Sequence, residues 1–132
     1  MAEPIQELLV LNQKLLDSIV SGDWKTYEEL CDPTITCFEP EALGHLVEGL
    51  PFHRFYFELG TGGGPPPKSN TTMVAPHVRM LSPDSAVVSY VRLTQRVQPN
   101  AGPVSLRQNE TRVWQKRDGR WRHVHFHRSP CA

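Results

Sequence analysis

Residues 109–129 read NETRVWQKRDGRWRHVHFHRS. Two runs of alternating β-branched, aromatic and charged residues flank Arg117-Asp118-Gly119, a strong hairpin-turn signal. The stretch therefore predicts antiparallel strands over 105–116 and 120–128. SYVRLTQ (89–95) carries the same alternation inside a strand over 86–97, and another strand covers 71–81. Ser82-Pro83-Asp84 and the longer Pro99-Asn100-Ala101-Gly102 supply the remaining turns, so the four strands form an antiparallel meander. Residues two apart in a strand share a face. Tyr90 then accompanies Arg92, Glu110 and Trp114 flank Arg112, and Val124 and Phe126 lead to Arg128. Three guanidiniums among aromatic and aliphatic neighbours predict a half-buried cationic cavity on one face, with Trp114 in its wall. The opposite face carries Val87, Val91, Leu93, Val113, His123, His125 and His127 by the same alternation. A face of that mixed composition marks a protein interface.

Upstream of the strands the periodicity changes. Over 4–20, Ile5, Leu8, Leu9, Leu15, Leu16 and Ile19 lie on one helical stripe. Ser21-Gly22 ends that helix, and Asp23 is placed to cap a second one through Trp24, Tyr27 and Leu30. Pro33 stops it, and residues 34–38 (TITCF) are strand-like. Residues 40–58 read helically, broken at Gly49-Leu50-Pro51, and Phe52, Phe55, Tyr56 and Phe57 are expected in the core. GTGGGPPP (60–67) fits no regular element and reads as a mobile loop. Helices first and strands after give α+β: a strongly curved antiparallel sheet wrapped around N-terminal helices, in one domain over 1–132.

Bulk properties exclude several functions. Lys plus Arg and Asp plus Glu are both 14, so there is no basic field for nucleic acid. No segment is apolar enough to span a membrane, and residues 1–20 are not a signal peptide. Cys31, Cys37 and Cys131 are odd in number and widely spaced, with no metal or redox pattern. That spacing fits a reducing cytoplasmic compartment. Asn70-Thr71-Thr72 and Asn109-Glu110-Thr111 match a glycosylation acceptor pattern that is frequent by chance and idle in the cytosol.

The arginines admit two readings. Glu110 shares the face of Arg112, and Glu39 or Glu58 is within reach of another guanidinium, giving internal pairing. If only Glu110 points inward, the cavity keeps a net positive charge and takes an anion: a small carboxylate, an acidic peptide segment, or phosphate. His53 and Tyr90 complete that site, with the histidine biased towards neutrality by the nearby cations. The competing reading of His53 is a packed, bonded core residue. His123, His125 and His127 on one strand face stand roughly 7 Å apart, too regular for a compact metal site, and read better as a pH-sensitive interface. No catalytic residue, cofactor or metal is expected.

The runs CDPTITCFEPEALGHLVEGLPFHRFYFE (31–58) and NETRVWQKRDGRWRHVHFHRS (109–129) closely resemble the association, or hub, domain of calcium/calmodulin-dependent protein kinase II. The resemblance implies a cone of the nuclear transport factor 2-like superfamily that assembles with copies of itself into two stacked rings carrying tethered kinase domains. It also implies that Arg92, Arg112, Arg128 and His53 line a pocket. The chain departs from that pattern in the loop after Glu58 and in the hairpin at 98–104, which bears on subunit packing. It has no Gly-rich phosphate loop, His-Arg-Asp or Asp-Phe-Gly, and no basic amphipathic helix for calmodulin. A piece of a kinase and a free-standing homologue both remain open. The superfamily also holds isomerases and dehydratases, so a small cone-fold enzyme acting on an anionic substrate is the alternative. Its candidate groups are His53, Glu39 and Glu110, with arginines expected to depress the carboxylates.

Overall fold

A computed structural model describes residues 3–59, 68–98, 100 and 102–131. The loop expected over 60–67 lies outside them, as do two positions of the 98–104 hairpin. The order is α1 (Pro4–Ser21), α2 (Trp24–Leu30), β1 (Cys31–Phe38), a 3₁₀ turn (Pro40–Ala42), β2 (Val47–Glu48), α3 (Pro51–Leu59), β3 (Ser69–Ser82), β4 (Ser85–Gln98), β5 (Gly102–Arg117) and β6 (Arg120–Pro130). The class is α+β, as predicted.

Pro4 occupies the first turn of α1, where its missing N–H is no loss. Leu8, Leu15 and Leu16 are buried from that helix, whereas Ile5 stays exposed. Gly22 closes α1 in the left-handed region at φ 69°. Asp23 caps α2 as expected, accepting from the Thr26 backbone N–H at 3.2 Å and hydroxyl at 2.6 Å. Buried Asn12 ties α1 to the sheet by accepting the Trp114 indole N–H at 3.0 Å. Trp114 thus lies in the core under α1 and is not among the residues lining the cavity.

The six strands form one curved, unclosed sheet in the order β2-β1-β6-β5-β4-β3. Two features differ from the sequence reading. The short strand β2 sits where a helix was expected, pairing antiparallel with β1 through Thr36–Glu48 and Cys37–Val47. Strand β1 joins β6 in parallel, so the sheet is mixed. The strand also starts earlier than expected: pairing reaches back to Cys31, and the ladder with β6 is then irregular up to Thr36, across the stretch that holds the exposed Pro33.

Strand β4 alternates without error: Ala86, Val88, Tyr90, Arg92 and Thr94 are buried, and the residues between them are half-buried. Strand β6 does not. A bulge between Val113 and Trp114 of β5 pairs Val113 with His125 but Trp114 with His123, leaving Val124 as the extra residue. The bulge turns His123 inward beside Phe126, where it is fully buried. The expectation that His123 shares a face with His125 and His127, and Val124 with Phe126, is corrected accordingly. In α3, Phe52 and Phe57 pack against the core, but Phe55 and Tyr56 are exposed at 58% and 43%, contrary to the expected four-ring cluster.

Candidate functional site

A cavity of about 480 Å³ opens between the concave face of the sheet and α1, α2 and α3. Its floor follows from strand register. Tyr90, Glu110 and Arg128 stand side by side across β4, β5 and β6, with Arg92 beside Gln108 one pair along and Arg112 beside Phe126 on the other side. Of the residues predicted for the site, Arg92, Arg112, Arg128 and His53 line the cavity. Tyr90 and Glu110 stand behind them and hold the guanidiniums in place.

Glu110 is the centre of that support. It is 2% exposed and accepts from Arg112 Nη2 at 3.0 Å, Arg92 Nη1 at 3.3 Å and the Tyr90 hydroxyl at 2.6 Å. The Tyr90 oxygen accepts in turn from Arg112 Nε at 2.9 Å, and Arg92 Nε donates to the Thr71 hydroxyl at 2.9 Å. The Arg112 guanidinium also lies 4.5 Å over the Phe126 ring. Burial alone would push the Glu110 carboxyl up; Arg112 and Arg92 overcome it and hold the carboxyl below the usual range. Burial also pulls Arg92 down against the attraction of Glu110. It pushes the Tyr90 phenol up to about 12.

Arg128 has its own partners. Its Nη2 donates to Glu39 at 2.9 Å and to Glu41, and its Nη1 donates to Gln108 at 3.2 Å. Burial pushes Glu39 upward despite Arg128, so the expectation that arginines depress every carboxylate here holds for Glu110 and not for Glu39. Glu58, considered as a partner for a cavity arginine, instead pairs on exposed α3 with Arg54 at 2.9 Å. The condition that only Glu110 points inward is therefore not met: Glu39 and Glu41 do too.

His53 is buried with Nδ1 3.5 Å from Glu39 Oε1 and Nε2 3.7 Å from Cys37 Sγ. Burial, then the positive charge of Arg112 and Arg128, lowers it to about 4, so the ring is neutral at pH 7. Cys37, Glu39 and His53 place one donor atom each within 4.8 Å of one another. Metal chemistry fits this group poorly. Burial holds the Cys37 thiol at about 12, and a cation would sit beside Arg128. As acid–base machinery the cavity is equally constrained, because Glu39 and Glu110 are each bound by guanidiniums.

Among the charged lining residues, sequence reasoning missed two, Glu41 and Arg96. Glu41 sits in the 3₁₀ turn, which has no periodicity to aim a side chain. Arg96 was in plain view, two and four residues beyond Thr94 and Arg92 on the same strand face. No helix among the described residues is long and apolar enough to cross a membrane. The three cysteines form no disulfide.

Comparison with known proteins gives three results. The sequence profile for the calcium/calmodulin dependent protein kinase II association domain matches residues 5–132. The delta subunit of calcium/calmodulin-dependent protein kinase type II from Oryctolagus cuniculus is 46% identical over 124 residues, which is 94% of this chain and 23% of that subunit. The chain thus spans under a quarter of that relative's length. Among solved structures, the calcium/calmodulin-dependent protein kinase II hub homology domain of Chlamydomonas reinhardtii superposes with a TM-score of 0.92. Its identity is 51%, over 98% of this chain and 100% of that one. A nuclear transport factor 2-like superfamily protein from Salmonella enterica shares the cone at a TM-score of 0.76 and 25% identity, over 96% and 90% of the two chains.

Proposed function

The chain belongs to the association-domain family of calcium/calmodulin-dependent protein kinase II, and from that premise we propose that it is a non-catalytic self-association hub. Copies close into two stacked rings, with a head-to-tail contact repeated around the axis and a two-fold contact between layers. The rings hold kinase domains, joined to the chain or bound to it, at high effective concentration in the cytoplasm. The arginine-lined cavity is a regulatory site for a small carboxylate or an acidic peptide segment.

One observation carries the self-association reading. The convex face of the sheet, opposite the helices and the core, presents Val74 and Val97 exposed, with Val87, Val91, Leu93 and Val113 half-buried around them. Apolar side chains on a face that has no core of its own to fill suit cover by a neighbouring copy, even with the polar rows of Ser89 and Gln95 between them. Light scattering on the purified chain tests the proposal. A particle on the order of a dozen copies or more is expected for closed double rings. A monomer or simple dimer at micromolar concentration would overturn it.

A further inference from the structure

The histidine stripe expected on one sheet face is regrouped by the structure. The bulge between β5 and β6 takes His123 into the core, and strand β3 supplies a replacement. Its pairing slips between Val74 and His77, where Ala75 adopts φ 49°, and the slip places His77 on the convex face. Two neighbouring cross-strand rows of that face now hold three imidazoles. One runs His77, Ser89, Thr111, His127, Phe38; the other runs Arg79, Val87, Val113, His125, Thr36, Glu48. Arg79 and Glu48 are the permanent charges in these rows, one of each sign, so with neutral imidazoles the two rows carry no net charge. With all three rings protonated they carry three positive charges, and Arg107 adds a fourth two rows away.

The surroundings of these rings suit the neutral form. His127 packs against Phe38 at 5.6 Å, His125 meets the same ring edge-on at 6.3 Å, and Val113 and Val87 extend the row of His125. No carboxylate faces His77 or His127 in their row, and Glu48 stands in the other row beyond Thr36, on β2. The Nδ1 of His125 lies 2.7 Å from the Thr36 hydroxyl. A hydroxyl donates to a bare ring nitrogen or accepts from a protonated one, so the ring can take up a proton and keep that bond. Protonation then charges the face without loosening the strand. Burial, followed by His127, already holds His125 below its ordinary value in the single chain. We propose that the convex face is a proton-operated latch, in which His77, His125 and His127 admit a neighbouring copy while neutral and release it when charged. This rests on the self-association reading above and adds regulation to it. A covering copy takes the imidazoles out of water, which a neutral ring tolerates and a cation without a carboxylate partner does not. Across a two-fold contact the three cations would also meet their own counterparts. Assembled copies thus bind fewer protons than free ones. Association is complete above the ordinary imidazole range near 6.5 and weakens as pH falls, by about tenfold per pH unit for each imidazole kept from protonation.

Light scattering between pH 8 and pH 5.5, at constant ionic strength and protein concentration, tests the proposal, with far-ultraviolet circular dichroism on the same samples. The large particle is expected at pH 8 and monomers or dimers at pH 5.5, with the dichroism retained and the particle restored on return to pH 8. The combined variant His77→Gln, His125→Gln, His127→Gln should stay assembled at pH 5.5. His77→Gln alone, at an exposed position, should move the midpoint of dissociation to lower pH. His127→Lys, charged at every pH used, should weaken the particle already at pH 8. His45→Gln is the control, being exposed and outside the sheet, and should leave the midpoint where it is. A particle mass constant over the whole range overturns the latch, and so does a triple variant that dissociates at the wild-type pH. If dichroism is lost together with mass, in wild type and triple variant alike, buried His53 and His123 act through the fold and the latch falls. A chain already monomeric at pH 8 overturns the self-association reading itself, and this inference with it.

Discussion

At the scale of single residues, one carboxylate decides whether the cavity floor holds together. Glu110 neutralises parts of two guanidiniums and takes a third hydrogen bond from Tyr90, all out of water. Removing one partner of a buried ionic network leaves the others desolvated and unpaired, which costs about 3–5 kcal/mol. Glu110→Gln keeps the shape and removes the charge. The expected outcome is a fall of that size in stability, read from urea denaturation at fixed protein concentration. Glu58→Gln is the internal comparison, since its exposed pair with Arg54 is screened by solvent and should leave the midpoint unmoved. Equal behaviour of the two variants would mean the network is not closed as described. Much of this floor was legible beforehand: alternation alone placed Tyr90, Arg92, Glu110 and Arg112 together, because β4 and β5 run in unbroken register. The second acidic pair was not, because Glu41 reaches Arg128 from a turn whose backbone direction no periodicity reports.

At the scale of elements, β6 departs from its own pattern. The turn before it was legible: Asp118 and Gly119 adopt φ 52° and 76°, the left-handed pair that a two-residue hairpin demands. The bulge four residues later was not, since a strand sequence with one extra residue still alternates on either side of it. The parallel pairing of β1 and the two-residue β2 were hidden for a related reason, being set by contacts distant in sequence. The bulge has a consequence for acid stability. It buries His123 within 3.5 Å of Arg112 Nη1 and Cys31 Sγ, and burial followed by Arg112 lowers its affinity for protons well below the ordinary value. His53, packed 5.6 Å from Phe126 of the same strand, is lowered to about 4. A histidine with a depressed folded-state value binds fewer protons folded than unfolded, so stability is complete above the unfolded value near 6.5 and declines as pH falls. For His53 the window runs from 6.5 to about 4, and the full shift amounts to about 3 kcal/mol. Glu39, raised by burial, takes up its proton earlier in the folded state and offsets part of this at the acid end. The urea midpoint should therefore drop steadily between pH 7 and pH 5, and His53→Gln should flatten that slope. A midpoint constant over this range would show that neither ring is buried neutral.

At the scale of the whole molecule, the two faces of one sheet have been given separate work by strand periodicity. The concave face supplies both the core beneath the helices and the charged cavity; the convex face contributes to neither. Its cross-strand rows run from strand to strand: Val87 faces Val113, which faces His125, which faces Thr36; Ser89 then stands between His77 and Thr111, and Val74 faces Val91 in the row after that. Leu93 stands between Thr72 and Arg107 one row further. This division was readable in the sequence for β4, where Val87, Val91, Leu93 and Val97 recur at odd positions on a face that has no core to fill. It follows that assembly and folding can be separated by substitution on the convex face. Leu93→Asp places a charge where a neighbouring copy would bury it, and an unpaired buried charge outweighs the apolar gain of a single contact. The side chain is half-exposed in the single chain, so the charge is solvated there and the fold keeps its core. Light scattering should show the particle falling to monomers or dimers, while far-ultraviolet circular dichroism and near-ultraviolet tryptophan signals stay as in wild type. An unchanged particle mass would place the subunit contacts elsewhere on the cone, whereas loss of the dichroism signal would mean this face is needed for the fold itself.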